Sequence, residues 1–141
     1  MVQMQKQVNI SSGQHQKATS TVLGLPLHVL DDYLQWLSDC LDNNQGVHVV
    51  TLNAEMAMQA EQDKALANVI RDAELVVPDG AGVVIYLRLR GQQIQRCPGI
   101  ELAESVIKAA SAPDRPASLF FFGGAPDVAD KAIQKWQKEL P

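Results

Sequence analysis

The chain has 141 residues and a formal net charge of −4, with 46% hydrophobic and 20% charged residues. That is the profile of one soluble globular domain, and its acidity argues against a surface that holds nucleic acid by counterion release. Cys40 and Cys97 are the only cysteines, too few for a disulfide framework and too far apart for a metal-spaced pair, which points to a reducing cytoplasm.

His15, His28 and His48 are scattered singly, so no metal and no cofactor is predicted. No run approaches the roughly 18 apolar residues of a spanning helix. The first stretch, MVQMQKQVNISSGQHQKATS, has no apolar signal-peptide core. Residues 1–20 read as a polar tail and residues 21–141 as one α/β domain.

In chain order, STVLGLPLHVL reads as a short extended segment broken by Gly24 and Pro26. DDYLQWLSDCLDN predicts a helix capped by Asp31 or Asp32, with Leu34, Leu37 and Leu41 on its apolar face. Asn43-Asn44-Gln45-Gly46 stops it. VHVVTL is a β-branched run that predicts a buried strand. A helix over residues 54–71 follows, with Leu66, Val69 and Ile70 on its apolar side. ELVV predicts the next strand and GAGVVIYLRLR the next helix, ended by Gly91.

A connection of about ten residues then leads to a helix through LAESVIKAAS. APDRPA is a loop by its prolines, SLFFF reads as a strand and Gly123-Gly124 as a turn. A last helix covers APDVADKAIQKWQKEL, with Pro126 near its first turn and Ala132, Trp136 and Leu140 on one face. This alternation predicts an α/β fold: a Rossmann-like, open, mostly parallel sheet with helices on both faces. Ending straight after a helix, the domain reads as truncated at the C-terminus. One side of the last helix is then uncovered, which favours self-association into a homo-oligomer.

In an open parallel sheet ligands bind beyond the carboxyl ends of the strands. Three predicted strand ends carry the residues such a site needs: Thr51-Leu52-Asn53, Pro78-Asp79-Gly80 and Gly123-Gly124. Each has a purely structural alternative. Asp79 could cap the helix after it, and Thr51 or Asn53 could cap the helix from Ala54 with Glu55 in its first turn. The glycine pair could be a tight turn, or could open a helix N-terminus to a phosphate. Arg96, in a loop with Pro98 and Gly99, could be solvated or hold an anion.

The combination VVTLNAEMAMQAEQDKALANVIRDAELVVPDGAGVV resembles the WecG/TagA/CpsF glycosyltransferase family. The shared pattern is a Thr-x-Asn-x-Glu stretch, a helix with an internal Asp-Lys, and an apolar strand into Pro-Asp-Gly-x-Gly. Upstream VLGLPLHVL, downstream RLRGQQIQRCPGIEL and LFFFGGAPDVADKA extend the likeness over residues 21–140. Glu101 stands where the family usually has Asp, and Cys97 where it has an aliphatic residue.

The resemblance implies inverting transfer of a sugar, N-acetylmannosamine or a related hexose. The implied donor is a UDP-sugar and the implied acceptor is undecaprenyl-diphosphate-linked, at the inner face of the bacterial membrane. It implies Asp79 as general base, Thr51 beside it in the catalytic pocket, and Asn53, Gly80 and Arg96 as substrate-binding residues. Gly123 and Gly124 fall in the family's nucleotide-diphosphate region. Inverting transfer is a single displacement that needs one base. With no Asp-x-Asp stretch, arginine and helix-end N–H groups are left to stabilise the departing diphosphate. Two other readings stay open. One is a nucleotide-binding module of dinucleotide type, although Gly-x-Gly-x-x-Gly is absent. The other is a truncated, non-catalytic paralogue.

Overall fold

The computed structural model describes residues 17–112 and 117–140. It opens with an antiparallel hairpin, β1 (Ala18–Val22) and β2 (Leu25–Val29), closed by the pair Val22 and Leu25. The two turn residues, Leu23 and Gly24, both have positive φ, at 49° and 73°. That backbone matches the twist of the flanking strands, which is why a two-residue hairpin turn needs it. The segment expected to be broken at Gly24 is therefore folded back on itself. β1 also takes in Ala18, Thr19 and Ser20, which composition alone assigned to the polar tail.

Helix α1 (Tyr33–Asp42) is capped by Asp32, whose carboxylate accepts the Gln35 N–H at 2.9 Å. Its buried face is Trp36, Leu37 and Cys40; of the predicted leucine row Leu37 is buried, Leu34 is half-buried and Leu41 lies exposed. The buried arc runs from Trp36 through Cys40 to Leu37, and Leu41 falls about 40° beyond Leu37, on the side away from the core.

Strand β3 (Val49–Leu52) is followed by two helices, not one. α2 (Ala54–Gln62) ends at Asp63, whose φ and ψ of −114° and 99° leave the helical region; the Asp63 carboxylate then caps α3 (Lys64–Asp72). An aspartate that can bond the N–H groups of Ala65 and Leu66 competes with helix continuation. The break rotates the apolar face, so Ala67 and Ile70 are buried and Val69 is exposed.

β4 (Leu75–Pro78) pairs parallel with β3 in the register Val49–Leu75 to Leu52–Pro78. Helices α4 (Ala81–Leu89), α5 (Gly99–Ala110) and α6 (Val128–Glu139) complete the described chain. The two-stranded sheet is covered on both sides by apolar side chains. Val50, Leu52 and Val76 join Ala57, Ala67, Ile70, Val83 and Leu87 in one core, which also takes in Val22, Leu25 and Leu27 of the hairpin. Leu75 and Val77 face the other way, onto Trp36, Leu37, Cys40 and Leu102. This is the alternation that a strand buried on both faces must show.

β2 lies beside the second edge of β4. There the buried His28 imidazole, not a strand carbonyl, receives a ladder donor: Nδ1 accepts the Val76 N–H at 2.9 Å. Burial, and secondarily the Lys17 charge, pull the His28 pKa down to about 4, so the ring is a neutral acceptor.

The architecture is mixed α/β with one parallel strand pair. The expected strand SLFFF is absent: residues 118–122 make no ladder with β3 or any other strand. Phe120 and Phe122 are 89% and 94% exposed. An apolar, β-prone run becomes a strand only when an edge accepts its backbone groups, and here none does. α6 begins at Val128, two residues past Pro126, and has no buried residue; Ala132, Trp136 and Leu140 are only half-covered. The proline loop at 112–117 lies largely outside the described residues, as does the tail up to residue 16.

Candidate active site

Two of the three predicted strand ends meet. The Asp79 N–H donates to the Leu52 carbonyl at 2.9 Å, so the chain leaving β4 is clamped onto the end of β3. The Cys97 N–H donates to the Pro78 carbonyl at 2.9 Å, which brings the loop carrying Arg96 onto the same rim.

Asp79 caps no helix. The N-cap of α4 is Gly80, and no side chain bonds there. Gly80 has φ 86°, a left-handed value that a side chain would strain, although a Cβ would reach only Asn53 Cβ, at 3.6 Å. That turn lifts the Asp79 carboxylate off the helix end. It remains 25% exposed, with Arg96 Nη2 3.9 Å from Oδ1 across the mouth of the rim. A contact that long and that exposed adds little stability; it leaves a carboxylate and a guanidinium side by side and accessible.

Asn53 takes the bland role open to it. Its Oδ1 accepts the Met56 N–H at 2.8 Å and caps α2, with Glu55 in the first turn. Thr51 does not cap. It packs against the start of α5, where a Cβ on Gly99 would fall 2.6 Å from Thr51 Cγ2 and 3.0 Å from Oγ1. No larger residue fits at 99 without displacing the strand. Likewise a Cβ on Gly82 would stand 3.0 Å from Ala54 Cβ, so the first turns of α2 and α4 touch.

Three helix N-termini, of α2, α4 and α5, therefore surround Thr51, Asn53 and Asp79. Their unpaired N–H groups and dipoles make the rim favourable for an anion. Pro98-Gly99 opening a helix was the available sequence signal for the third, and sequence reasoning did not use it. Beside the rim opens a cleft of about 500 Å³ whose lining includes Asp31, Tyr33, Gln95, Arg96 and Glu101. Burial first, then the charges of Asp79 and Glu101, push the Cys97 thiol up to about 11, which disfavours its thiolate there.

The structure does not join Gly123 and Gly124 to this rim. Both have positive φ, at 101° and 83°, as a turn requires. A Cβ on Gly123 would meet nothing within 4 Å, and one on Gly124 only Val128. The third strand end is missing from the site because the third strand is missing from the sheet.

The pattern of the glycosyl transferase WecG/TagA/CpsF family matches residues 20–141. The chain belongs to that family. Two relatives carry the name N-acetylglucosaminyldiphosphoundecaprenol N-acetyl-beta-D-mannosaminyltransferase. That of Bacillus spizizenii is 32% identical over 102 residues, covering 72% of this chain and 39% of the relative. That of Bacillus subtilis is 28% identical over 111 residues, covering 78% of this chain and 42% of the relative. The chain thus spans about two fifths of the length of the curated relatives it matches, and the matched part holds the whole Asp79 rim.

Proposed function

We propose that this chain carries the catalytic rim of an inverting glycosyltransferase. The sugar, N-acetylmannosamine or a related hexose, moves from a UDP-sugar to an undecaprenyl-diphosphate-linked acceptor in cell-surface polysaccharide synthesis. The observation that carries the reading is the Asp79 carboxylate, which caps no helix and faces Arg96 amid three helix N-termini. In the displacement, the acceptor hydroxyl oxygen attacks the anomeric carbon and passes its proton to Asp79. The bond to the donor diphosphate breaks as the new one forms. Arg96 and the helix-end N–H groups then meet the charge left on the diphosphate. Thr51 and Asn53 wall the pocket, and Gly80 lets the backbone approach the sugar. No helix among the described residues is long and apolar enough to cross a membrane. On this reading the lipid-linked acceptor is met at the inner membrane surface, as the family resemblance implies.

The Rossmann-like form of the sheet belongs to the same proposal. Helices α2 and α3, between β3 and β4, lie on one face; α5, which leads into residues 118–122, lies on the other with α1. A right-handed crossover on the opposite face must step in the opposite direction, back past β3. Among the described residues β3 has one strand neighbour, β4, and on this reading its other edge takes residues 118–122. An apolar cleft of about 370 Å³, lined by Val47, Val49, Thr51, Leu102 and Val106 among others, borders that edge. Leu119 and Phe121 already turn toward α5 and α6, while Phe120 and Phe122 point to solvent, the alternation of a strand awaiting its partner. Docking there brings Gly123 and Gly124 beside Asn53, in the crevice where such sheets bind nucleotides.

Asp79→Asn tests the base. The variant is expected to lose roughly 10²–10⁴-fold in sugar transfer, measured in a full-length family enzyme carrying this segment, with an unchanged melting temperature. Equal turnover by the Asn variant would remove Asp79 from the chemistry.

A further inference from the structure

Two clefts share a wall beside the candidate base. The first, of about 500 Å³, has Asp31, Tyr33, Arg96 and Glu101 in its lining. The second, of about 600 Å³, is lined by Arg88, Gly91 and Ile94, and Gln93 and Gln95 line both. Together they form one groove, which runs from Arg96, 3.9 Å from Asp79, past the glutamines to the end of α4.

The charge along this groove is polarised. Its rim end sets the carboxylates of Asp31, Asp32 and Glu101 against Arg96, whereas its far end has a single charged lining residue, Arg88. Asp32 is committed to capping α1. Asp31 and Glu101 are exposed and, among the described residues, accept no hydrogen bond. The Tyr33 ring beside them is held in place, since its Oη donates to the His28 carbonyl at 2.9 Å. At the far end the last carbonyls of α4 do not oppose an anion unshielded, because the N–H groups of Arg90, Gly91 and Gln92 already donate to Leu87 and Arg88.

Each end selects its own ligand chemistry. Carboxylates and amides beside an aromatic ring hold a neutral polyol, accepting from its hydroxyls while the ring covers its apolar face. The excess of carboxylates there repels an anion. A guanidinium among uncharged amides holds a phosphate instead. A protein segment laid over the rim end would have to bring a cation for each carboxylate, because burying them unpaired is costly. It would also close the way to Asp79. A neutral sugar joined to a diphosphate fits both ends at once.

We propose that this groove is the acceptor subsite. The sugar of a glycosyl diphosphate lies between Asp31, Tyr33 and Glu101 with a hydroxyl turned to Asp79, and its diphosphate runs past Gln93 to Arg88. The donor then approaches Asp79 from the opposite side, over the end of β3. The deepening rests on the transferase reading, which makes Asp79 the base; the polarity of the groove does not depend on it.

The test is a titration of the isotope-labelled 141-residue chain, followed by backbone amide shifts, with two probes. One is an N-acetylglucosaminyl diphosphate carrying a short, water-soluble alkyl tail, and the other is the methyl glycoside of N-acetylglucosamine. The diphosphate probe is expected to move the amides of Asp31 and Tyr33 together with those of Gly91 and Gln93, and the methyl glycoside only the first pair. Arg88→Gln should weaken the diphosphate probe roughly five- to tenfold and leave the methyl glycoside unchanged, while Asp31→Ala should weaken both. In a full-length family enzyme carrying this segment, both variants should raise KM for the acceptor and leave KM for the donor in place. The proposal is overturned if the diphosphate probe leaves Gly91 and Gln93 unmoved, if Arg88→Gln binds it at the wild-type level, or if uridine diphosphate displaces it from the groove. Neither donor nor turnover enters the titration, so an empty groove leaves Asp79 as base standing, and an active Asp79→Asn variant leaves the groove standing.

Discussion

Residues 49–78 and residues 118–139 begin alike, each with an apolar β-prone run followed by a turn and a helix, but they end differently. The first run is a strand in which Val50 and Leu52 are buried, and it pairs with β4, where Leu75, Val76 and Val77 have no exposure left. The second run, with three phenylalanines, has no ladder, and its helix has no buried residue. Hydrophobicity does not distinguish them. Partners do: β3 and β4 lie between two helical layers, whereas residues 118–122 lie where only one side is covered. Burial free energy scales with area removed from water, so a run identical in composition contributes many times more in the first place than in the second.

The largest expected contrast follows directly. Leu52→Ala should cost about 2–5 kcal/mol of stability, through lost burial and the cavity left behind. Phe122→Ala should change it by less than about 0.5 kcal/mol. Urea denaturation of both variants checks this, and comparable losses would mean that residues 118–122 are packed in solution.

Acid should attack the first region selectively. His28 titrates near 4 when folded and near 6.5 when unfolded, so between those values the unfolded chain holds a proton that the folded chain excludes. The stability that neutral His28 supports is therefore present above pH 6.5 and is lost as pH falls toward 4, by up to roughly 3 kcal/mol. In His28→Gln, which keeps an acceptor without titrating, that pH dependence should flatten. An unchanged slope in the Gln variant would assign the acid sensitivity elsewhere.

A smaller effect separates two glycines. Gly99→Ala should cost about 1–3 kcal/mol, because the new methyl would overlap Thr51. Gly46→Ala, with open space and an ordinary φ, should be neutral or stabilising by up to about 1 kcal/mol. Thermal melts of the pair measure how tightly α5 is seated on the rim.

The difference between the regions should shrink when nucleotide binds. Uridine diphosphate, and not NAD, is expected to raise the melting temperature by linkage. It should also slow amide exchange over residues 118–122 if they join β3. A shift with NAD alone would move the reading to the dinucleotide class.

Local signals were legible in the chain itself. Asp32 before an amphipathic run, Asn53 before Ala54 and Gly91 after Arg90 mark helix ends, because capping depends on groups within four residues. The β-branched runs at 49–52 and 75–78 announced buried strands. The motif residues Asn53, Asp79, Gly80 and Arg96 were named from sequence, and the fold brings them to one rim.

What lay beyond sequence was every outcome decided by competition between distant groups. Asp79 reads equally well as a cap until the backbone at Gly80 turns left-handed and its carboxylate is seen to bond no helix N–H. That Gly99 lies against Thr51, 48 positions away in the chain (99 − 51), is decided only by the fold. SLFFF has the composition of a strand, and whether it becomes one depends on an open edge that its own residues do not supply. Composition determines which segments can pair and which must be buried. Only the tertiary arrangement decides which edge, which face and which neighbour each receives, because those energies are shared between partners and belong to neither alone.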